Sequence, residues 1–444
     1  MSTPPKSPRP VVASIAWRKP SSARPDAVTT DLRPTNTLTI DPERLWHTLE
    51  VSAGIGPGKA GGLSRLTLSD DDKAMRDQFV TWCQDAGCTV TVDPVGNIFA
   101  RREGRDPELT PVVMGSHLDT QIAGGRYDGI LGVLSGLEVI RTLNDRDIRT
   151  RRPIEVVCWT NEEGVRFQPP MMGAGVFAGV HDLNWVLSQT DDAGLTFGDE
   201  VARIGYAGSV QRDAADIDAY FELHIEQGPI LDAQKVPVGI VTGGFTSFGA
   251  ELEIAGENAH SGPTPMAARK DALVGAALIV ARLHEIGWGY APEGRATCAR
   301  LDVSPNRYGI IADQATVVID VRHPDPDLAD EMFQKALHAL PDVAERSGTD
   351  VSKVKDWSFG DVAFDAGLID LIQSTARDLD VAHIPILSAA GHDAYHLSRI
   401  APTAMIFTPC VDGITHNENE DIELASTVPG VNVLLHAVLR RANA

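Results

Sequence analysis

The chain has 444 residues, with 39 basic and 61 acidic side chains, a formal net charge of −22, and 43% hydrophobic, 6% aromatic and 23% charged residues. A hydrophobic share near the globular norm supplies a full core and excludes a mainly disordered chain, a coiled coil and a disulfide miniprotein. The acidic surplus argues against nucleic acid or an anionic membrane as the main partner, and the length is that of about two to four domains.

The charge is uneven. Residues 1–40 hold six basic side chains (Lys6, Arg9, Arg18, Lys19, Arg24, Arg33) against Asp26 and Asp31, a net of +4 that leaves −26 for the body. Seven of the 28 prolines also lie before position 41. They would break the amphipathic helix of a transit peptide, and no apolar run there is long enough for a signal peptide or membrane span. Residues 1–40 therefore read as a flexible basic tail. The five cysteines, Cys83, Cys88, Cys158, Cys298 and Cys410, are odd in number and contain no CxxC pair. They read as reduced thiols of a cytoplasmic protein.

From residue 41 onward, apolar strand-like runs alternate with helical patterns, which predicts an α/β fold with a largely parallel sheet. Strands are expected at 111–115, 154–159, 219–224 and 403–408, and a helix over 129–143. The glycines at 124, 125, 129 and 132 allow close backbone approach at that helix's start. Between 244 and 362 the order becomes strand 246–255, a helix whose apolar face includes Leu273, Val274, Ala277, Leu278 and Ala281, strands 297–303 and 315–322, a helix over 328–346, and a strand over 351–359. This β-α-β-β-α-β order is the ferredoxin-like split unit. The expected organisation is thus a catalytic domain over 41–243 and 363–444, a mixed, largely parallel sheet with helices on both faces, plus an inserted α+β domain over 244–362. Gly243 and Gly244 mark one hinge of that insert.

Four of the strand candidates run into metal-type ligands. The first leads to Ser116-His117-Leu118-Asp119, with Asp128 eleven residues beyond His117; the second to Glu162-Glu163; the third to His224-Ile225-Glu226-Gln227; the last, after a turn, to His416. In open α/β sheets ligands bind at the carboxyl ends of the strands, so these clusters converge on one site. Taken singly, each has an ordinary explanation as a core histidine, a solvated helix start or a helix cap. Together, several histidines and carboxylates at one edge suit zinc or a similar divalent ion, and a shared carboxylate would give two ions about 3.5–4 Å apart. Such chemistry needs one carboxylate free of metal to move the proton. Glu162 and Glu163 supply one ligand and one base, and spacing alone does not say which is which.

The runs GSHLDTQIAGGRYDGILGV, TNEEGVRF, ELHIEQGPIL, AHSGPTPM, AAGHDA and ITHNENE resemble the hydantoinase/carbamoylase family of metal-dependent amidases. That family groups N-carbamoyl-L-amino acid hydrolases, β-ureidopropionases and allantoate amidohydrolases, and is related to zinc aminopeptidases and aminoacylases. The likeness spans about residues 43 to 440. It implies two divalent ions per subunit, zinc first, with manganese, cobalt or nickel as alternatives, held by His117, Asp128, Glu163, His224 and His416 with Asp128 bridging. It implies Glu162 as general base, Asp119 orienting His117, and Gln227 and His392 (of AAGHDA) on the substrate side. The insert would be a lid and dimerisation domain. Across the dimer, His260 would cover the partner's site and Arg322 would clamp the substrate carboxylate. The implied substrate is a small carboxylate-bearing ureido or amide compound such as an N-carbamoyl α- or β-amino acid. One departure stands out: after Asn306 the family has an Asn three positions on, and this chain has Gly309 there, so Asn306 or Arg307 substitutes for it or the substrate differs.

Overall fold

The computed structural model describes residues 38–212 and 216–444; the basic tail expected over 1–40 falls, up to residue 37, outside the described residues. Residues 39–444 form one unit built on two sheets. In chain order the strands are β1 Thr89–Val92, β2 Ile98–Arg102, β3 Val112–His117, β4 Ile154–Trp159, β5 Ala219–Ile225, β6 Val238–Gly244, β7 Thr246–Ala255, β8 Arg295–Ser304, β9 Gln314–His323, β10 Asp350–Phe359, β11 His383–Ser388 and β12 Thr403–Thr408.

The larger sheet has the order β1-β2-β4-β3-β5-β12-β6-β11. Its central run β4-β3-β5-β12 is parallel throughout, while β1–β2, β2–β4 and β12–β6 pair antiparallel. These four central strands are the four whose ends the sequence loaded with ligand-type residues. Every residue in them is buried, as expected where helices cover both faces of parallel strands. Helices Ile130–Asp145 and Leu424–Asn443 pack on β3 and β5. On the other face Phe177, Tyr395 and Leu397 join Val113, Val157, Trp159, Tyr220 and Phe407 in one apolar cluster. Burying a side chain of this size contributes about 1.5–3 kcal/mol, so this layer fixes the sheet whose edge carries the chemistry. The register sets His117 opposite Trp159 and His224 opposite Phe407, which brings the strand ends level.

The second sheet has the order β10-β7-β9-β8 and is antiparallel throughout, the ferredoxin-like arrangement. Its helices cover one face around Leu252, Ile254, Val317, Ile319, Leu283 and Phe333. The expected helix over 328–346 is two helices, Pro326–His338 and Leu340–Ser347. Pro341 has no N–H to give the first helix and stands in the opening turn of the second, where none is needed. Helix Ala272–Gly289 is long and apolar enough by composition to cross a membrane. It packs on β8 and β9 of this sheet instead, yet leaves Leu273, Val274 and Trp288 exposed. The two chain crossings between the sheets run side by side: Gly244 N–H donates to Val362 O at 3.0 Å, and Gly243 pairs with Ala363. Gly360, with φ of 88°, lies at the second crossing, for which the sequence reading gave a boundary at 362 but no hinge residue.

Candidate metal centre and catalytic site

His117 ends β3 and His224 is the penultimate residue of β5. Both rings are buried. Each Nδ1 lies 2.9 Å from a main-chain carbonyl, that of Asp119 for His117 and that of Ile225 for His224. A carbonyl only accepts, so each Nδ1 carries the proton and each Nε2 keeps its lone pair. Both Nε2 atoms lie toward Asp128, whose Oδ1 is 3.9 Å from His117 Nε2 and 3.2 Å from His224 Nε2, and His224 Nε2 accepts the Gly129 amide at 3.1 Å. The other oxygen, Oδ2, is 3.4 Å from His416 Nε2, and that nitrogen is 3.4 Å from Glu163 Oε2. His117, Asp128 and His224 thus form one donor set, and Asp128, Glu163 and His416 another, the ligand atoms of each lying within 4.8 Å of one another. Glu222, His224 and His392 are equally close, but the Glu222 oxygens already accept from Ser116 Oγ, Tyr220 OH and Ala394 N–H. Glu222 therefore ties β3 and β5 to the 393–397 helix and has little left to offer a cation.

Asp128 sits just before the helix that begins at Ile130, where a negative charge is favoured. Gly129 between them has φ of 68°, and a side chain there would run into the His117 ring. Gln227 Nε2 and Thr415 Oγ1 donate to Asp128 Oδ2 at 2.8 and 3.0 Å. Burial pushes the Asp128 carboxyl up, but when the imidazoles are protonated at low pH the His224 hydrogen bond and charge, helped by His416 and His117, hold it well below the usual carboxylate range. Burial pushes Glu162 and Glu163 well above that range, reinforced first by Asp393 for Glu162 and by Asp128 for Glu163. Burial also lowers His117 to about 4, so it contributes no compensating charge near neutrality. Crowded buried carboxylates facing imidazole lone pairs fit a divalent cation in each set.

The other sequence-assigned residues separate by location. Glu162 Oε2 is 3.4 Å from His117 Nε2, inside the cluster. Asp119 orients His117 through its main-chain oxygen; its carboxylate, 3.8 Å from Nδ1, accepts the amides of Glu162 and Glu163 at 3.4 and 3.3 Å instead. That carboxylate fixes both glutamates, and burial raises it to about 7. Gln227 presents a buried Oε1 with no hydrogen-bond donor. His392 stacks edge-on against His224 with ring centroids 4.5 Å apart and bonds Ser388 Oγ at 3.0 Å. Arg322, expected to act across a dimer together with His260, lies against its own chain. Its Nη1 donates to Ala389 O at 2.9 Å and its Nε to Asp320 Oδ1 at 2.7 Å, because the end of β9 abuts the 388–392 loop. His260, Asn306 and Gly309 are not brought to the cluster. The His260 segment pairs with Ile310 at the outer tip of the second sheet, and Ser261 N–H donates to Gly309 O at 3.0 Å. Gly309 has φ of 91° with open space around it, so a backbone geometry that favours glycine, not crowding, sets that position.

Three site residues escaped the sequence reading. Gln121 Nε2 donates to Glu163 Oε2 at 2.6 Å. Thr415 bridges Asp128 to Glu420, whose Oε1 accepts the amides of Tyr127 and Asp128. All three lie within five residues of an assigned ligand, which is the only signal the sequence carried for them.

Residues 113–440 match the profile of Peptidase family M20/M25/M40. An N-carbamoyl-L-amino-acid amidohydrolase of Rhizobium meliloti is 42% identical over 403 residues, covering 91% of this chain and 97% of that protein. A ureidoglycolate hydrolase of Oryza sativa subsp. japonica is 30% identical over 410 residues, covering 90% of this chain and 85% of that protein. The crystal structure of an amidase of the hydantoinase/carbamoylase family from Burkholderia vietnamiensis superposes with a TM-score of 0.88 at 46% identity, covering 92% of this chain and 99% of that one. The chain belongs to the metal-dependent M20/M25/M40 peptidase family, within its hydantoinase/carbamoylase amidases, and is a hydrolase acting on C–N bonds.

Proposed function

We propose that the protein hydrolyses the carbamoyl C–N bond of an N-carbamoyl α- or β-amino acid, such as N-carbamoyl-β-alanine, to the amino acid, ammonia and carbon dioxide. The observation that carries this reading is the division of Asp128, with one oxygen toward His117 and His224 and the other toward His416 beside Glu163. Those five residues would hold two divalent ions, zinc first and manganese, cobalt or nickel otherwise. When bound, the ions lower the pKa of a water and polarise the carbonyl under attack. Glu162 takes the proton of the attacking water and returns it to the leaving nitrogen. Gln227 Oε1 accepts from the ureido nitrogen, and His392, kept neutral by burial and by His224, borders the same space. Arg322 binds the substrate carboxylate, which displaces the Asp320 carboxylate and Ala389 O that its guanidinium now holds. The five free cysteines fit a reducing, cytoplasmic setting.

His260 completes the site from a second copy, as a donor to the oxyanion. The exposed face of Leu273, Val274 and Trp288, beside the unpaired outer edge of β8, supports a homodimer through this lid. Mixing His260→Ala and Glu162→Gln chains, each inactive alone, is then expected to restore about a quarter of wild-type activity, since half the dimers carry one intact composite site. No recovery after verified subunit exchange would contradict the shared site.

A second reading keeps the mechanism and changes the substrate to an allantoate- or ureidoglycolate-type ureide. Gly309 favours it, as does the likeness to the rice ureidoglycolate hydrolase. Ammonia release, followed side by side for N-carbamoyl α- and β-amino acids, allantoate, ureidoglycolate and N-acyl amino acids, decides between them. Fastest release from an N-carbamoyl amino acid is expected; turnover of N-acyl substrates alone, without ammonia, would overturn ureido cleavage.

A further inference from the structure

The second donor set is less well anchored than the first. His117 and His224 each give their Nδ1 proton to a main-chain carbonyl, whereas among the described residues no carbonyl receives His416 Nδ1. The His416 side chain is 48% exposed, and its backbone has φ of 50°, in the left-handed region. Something other than strand packing must hold this residue toward Asp128 and Glu163.

We propose that Glu418, seated in the glycine loop Gly58–Gly62, is the positioning residue for His416 and sets the affinity of the Asp128–Glu163–His416 set alone. The Glu418 carboxylate accepts the main-chain amides of Ala60 and, at 3.2 Å, of Gly62. The loop is closed by Gly58 N–H to Gly62 O at 2.7 Å. On its other side it is fastened to the segment between His117 and Asp128: Leu63 and Gly124 exchange both main-chain hydrogen bonds, at 2.9 and 2.8 Å. One short loop therefore clasps the segment that carries Asp128 to the segment that carries His416. Its glycines are needed for the fit, because a Cβ on Gly58 would lie 2.6 Å from Glu418 Oε2, and one on Gly62 would lie 2.2 Å from Gly124 O and 2.6 Å from Glu418 Cα. In the first donor set His117 and His224 stand on the ends of β3 and β5, and Asp128, shared by both sets, is held by Gln227 and by the start of the Ile130–Asp145 helix, so that set does not depend on this clasp. Charge is secondary, since a neutral acceptor at 418 can still take both amides.

The proposal rests on the two-ion reading above. Its test is Zn(II) titration of the metal-stripped protein in competition with a chromophoric chelator, with circular dichroism as the check on folding. Wild type is expected to take up two equivalents. Glu418→Ala is expected to keep one at wild-type affinity and weaken the other by about 10–100-fold, the usual cost of losing a ligand's outer support. Glu418→Gln, which keeps an acceptor, is expected to stay close to wild type. Gly58→Ala, whose Cβ displaces the Glu418 carboxylate from the loop while leaving it intact, is expected to repeat the selective loss. A two-ion wild type whose Glu418→Ala variant holds both ions unchanged, or weakens both alike, overturns the proposal alone. A wild type that takes up fewer than two equivalents overturns the two-ion reading and the proposal with it.

Discussion

Replacing Glu162 by Gln is expected to lower kcat by about 10²–10⁴-fold, the range contributed by a positioned general base, while both metal sets stay filled. The substitution keeps the side chain's size and one oxygen, so its contacts near His117 survive. What is lost is the ability to accept a proton and return it. Glu162 is suited to that role by its surroundings: it is buried, crowded by Asp393 and Glu163, and held above the normal carboxylate range. Its main-chain amide is fixed by the Asp119 carboxylate, so its position is set apart from any ligand bond of its own. Steady-state kinetics with metal analysis of the same samples checks this. An unchanged kcat would remove Glu162 from the chemistry, and loss of metal along with activity would make it a ligand.

Asp128→Ala is expected to have the opposite signature, with both equivalents of metal lost together and activity falling to background. Among the described residues no other offers an oxygen to each donor set. The truncation also frees Gln227 and Thr415, which now donate to Asp128 Oδ2. A His416→Ala protein, by contrast, should keep one equivalent on the His117 side. Elemental analysis after dialysis reads both results. Retention of one tightly bound ion by Asp128→Ala would mean that the two sets are independent and that the bridge is not real.

The catalytic frame was legible because its four central strands are buried on both faces. Such strands appear as unbroken apolar runs, as in Ile154–Trp159 and Thr403–Thr408. The flanking strands left weaker traces: β6 ends in two glycines, and β11 carries Pro385 and a register shift against β6. The helix over 328–346 was over-extended because its apolar period continues past Pro341 into the second helix. At the site, spacing alone left Glu162 and Glu163 interchangeable; family likeness separated them, and the structure sets Glu163 beside His416 and Glu162 beside His117. Gln121, Thr415 and Glu420 were not legible because hydrogen bonds formed only after folding give them their roles. Arg322 was expected to act across a dimer, and sequence order does not reveal that the end of β9 meets the 388–392 loop of the same chain.

His117, Asp128, Glu163, His224 and His416 are expected to hold the ions on which ureido cleavage depends. The most direct measurement is ammonia release from the best N-carbamoyl amino acid by protein stripped with a chelator, then reconstituted with zinc, manganese, cobalt or nickel one at a time. The expected result is loss of turnover on stripping and its return with at least one of these ions, saturating near two equivalents per chain. Full-rate ammonia release by the metal-free protein would contradict it.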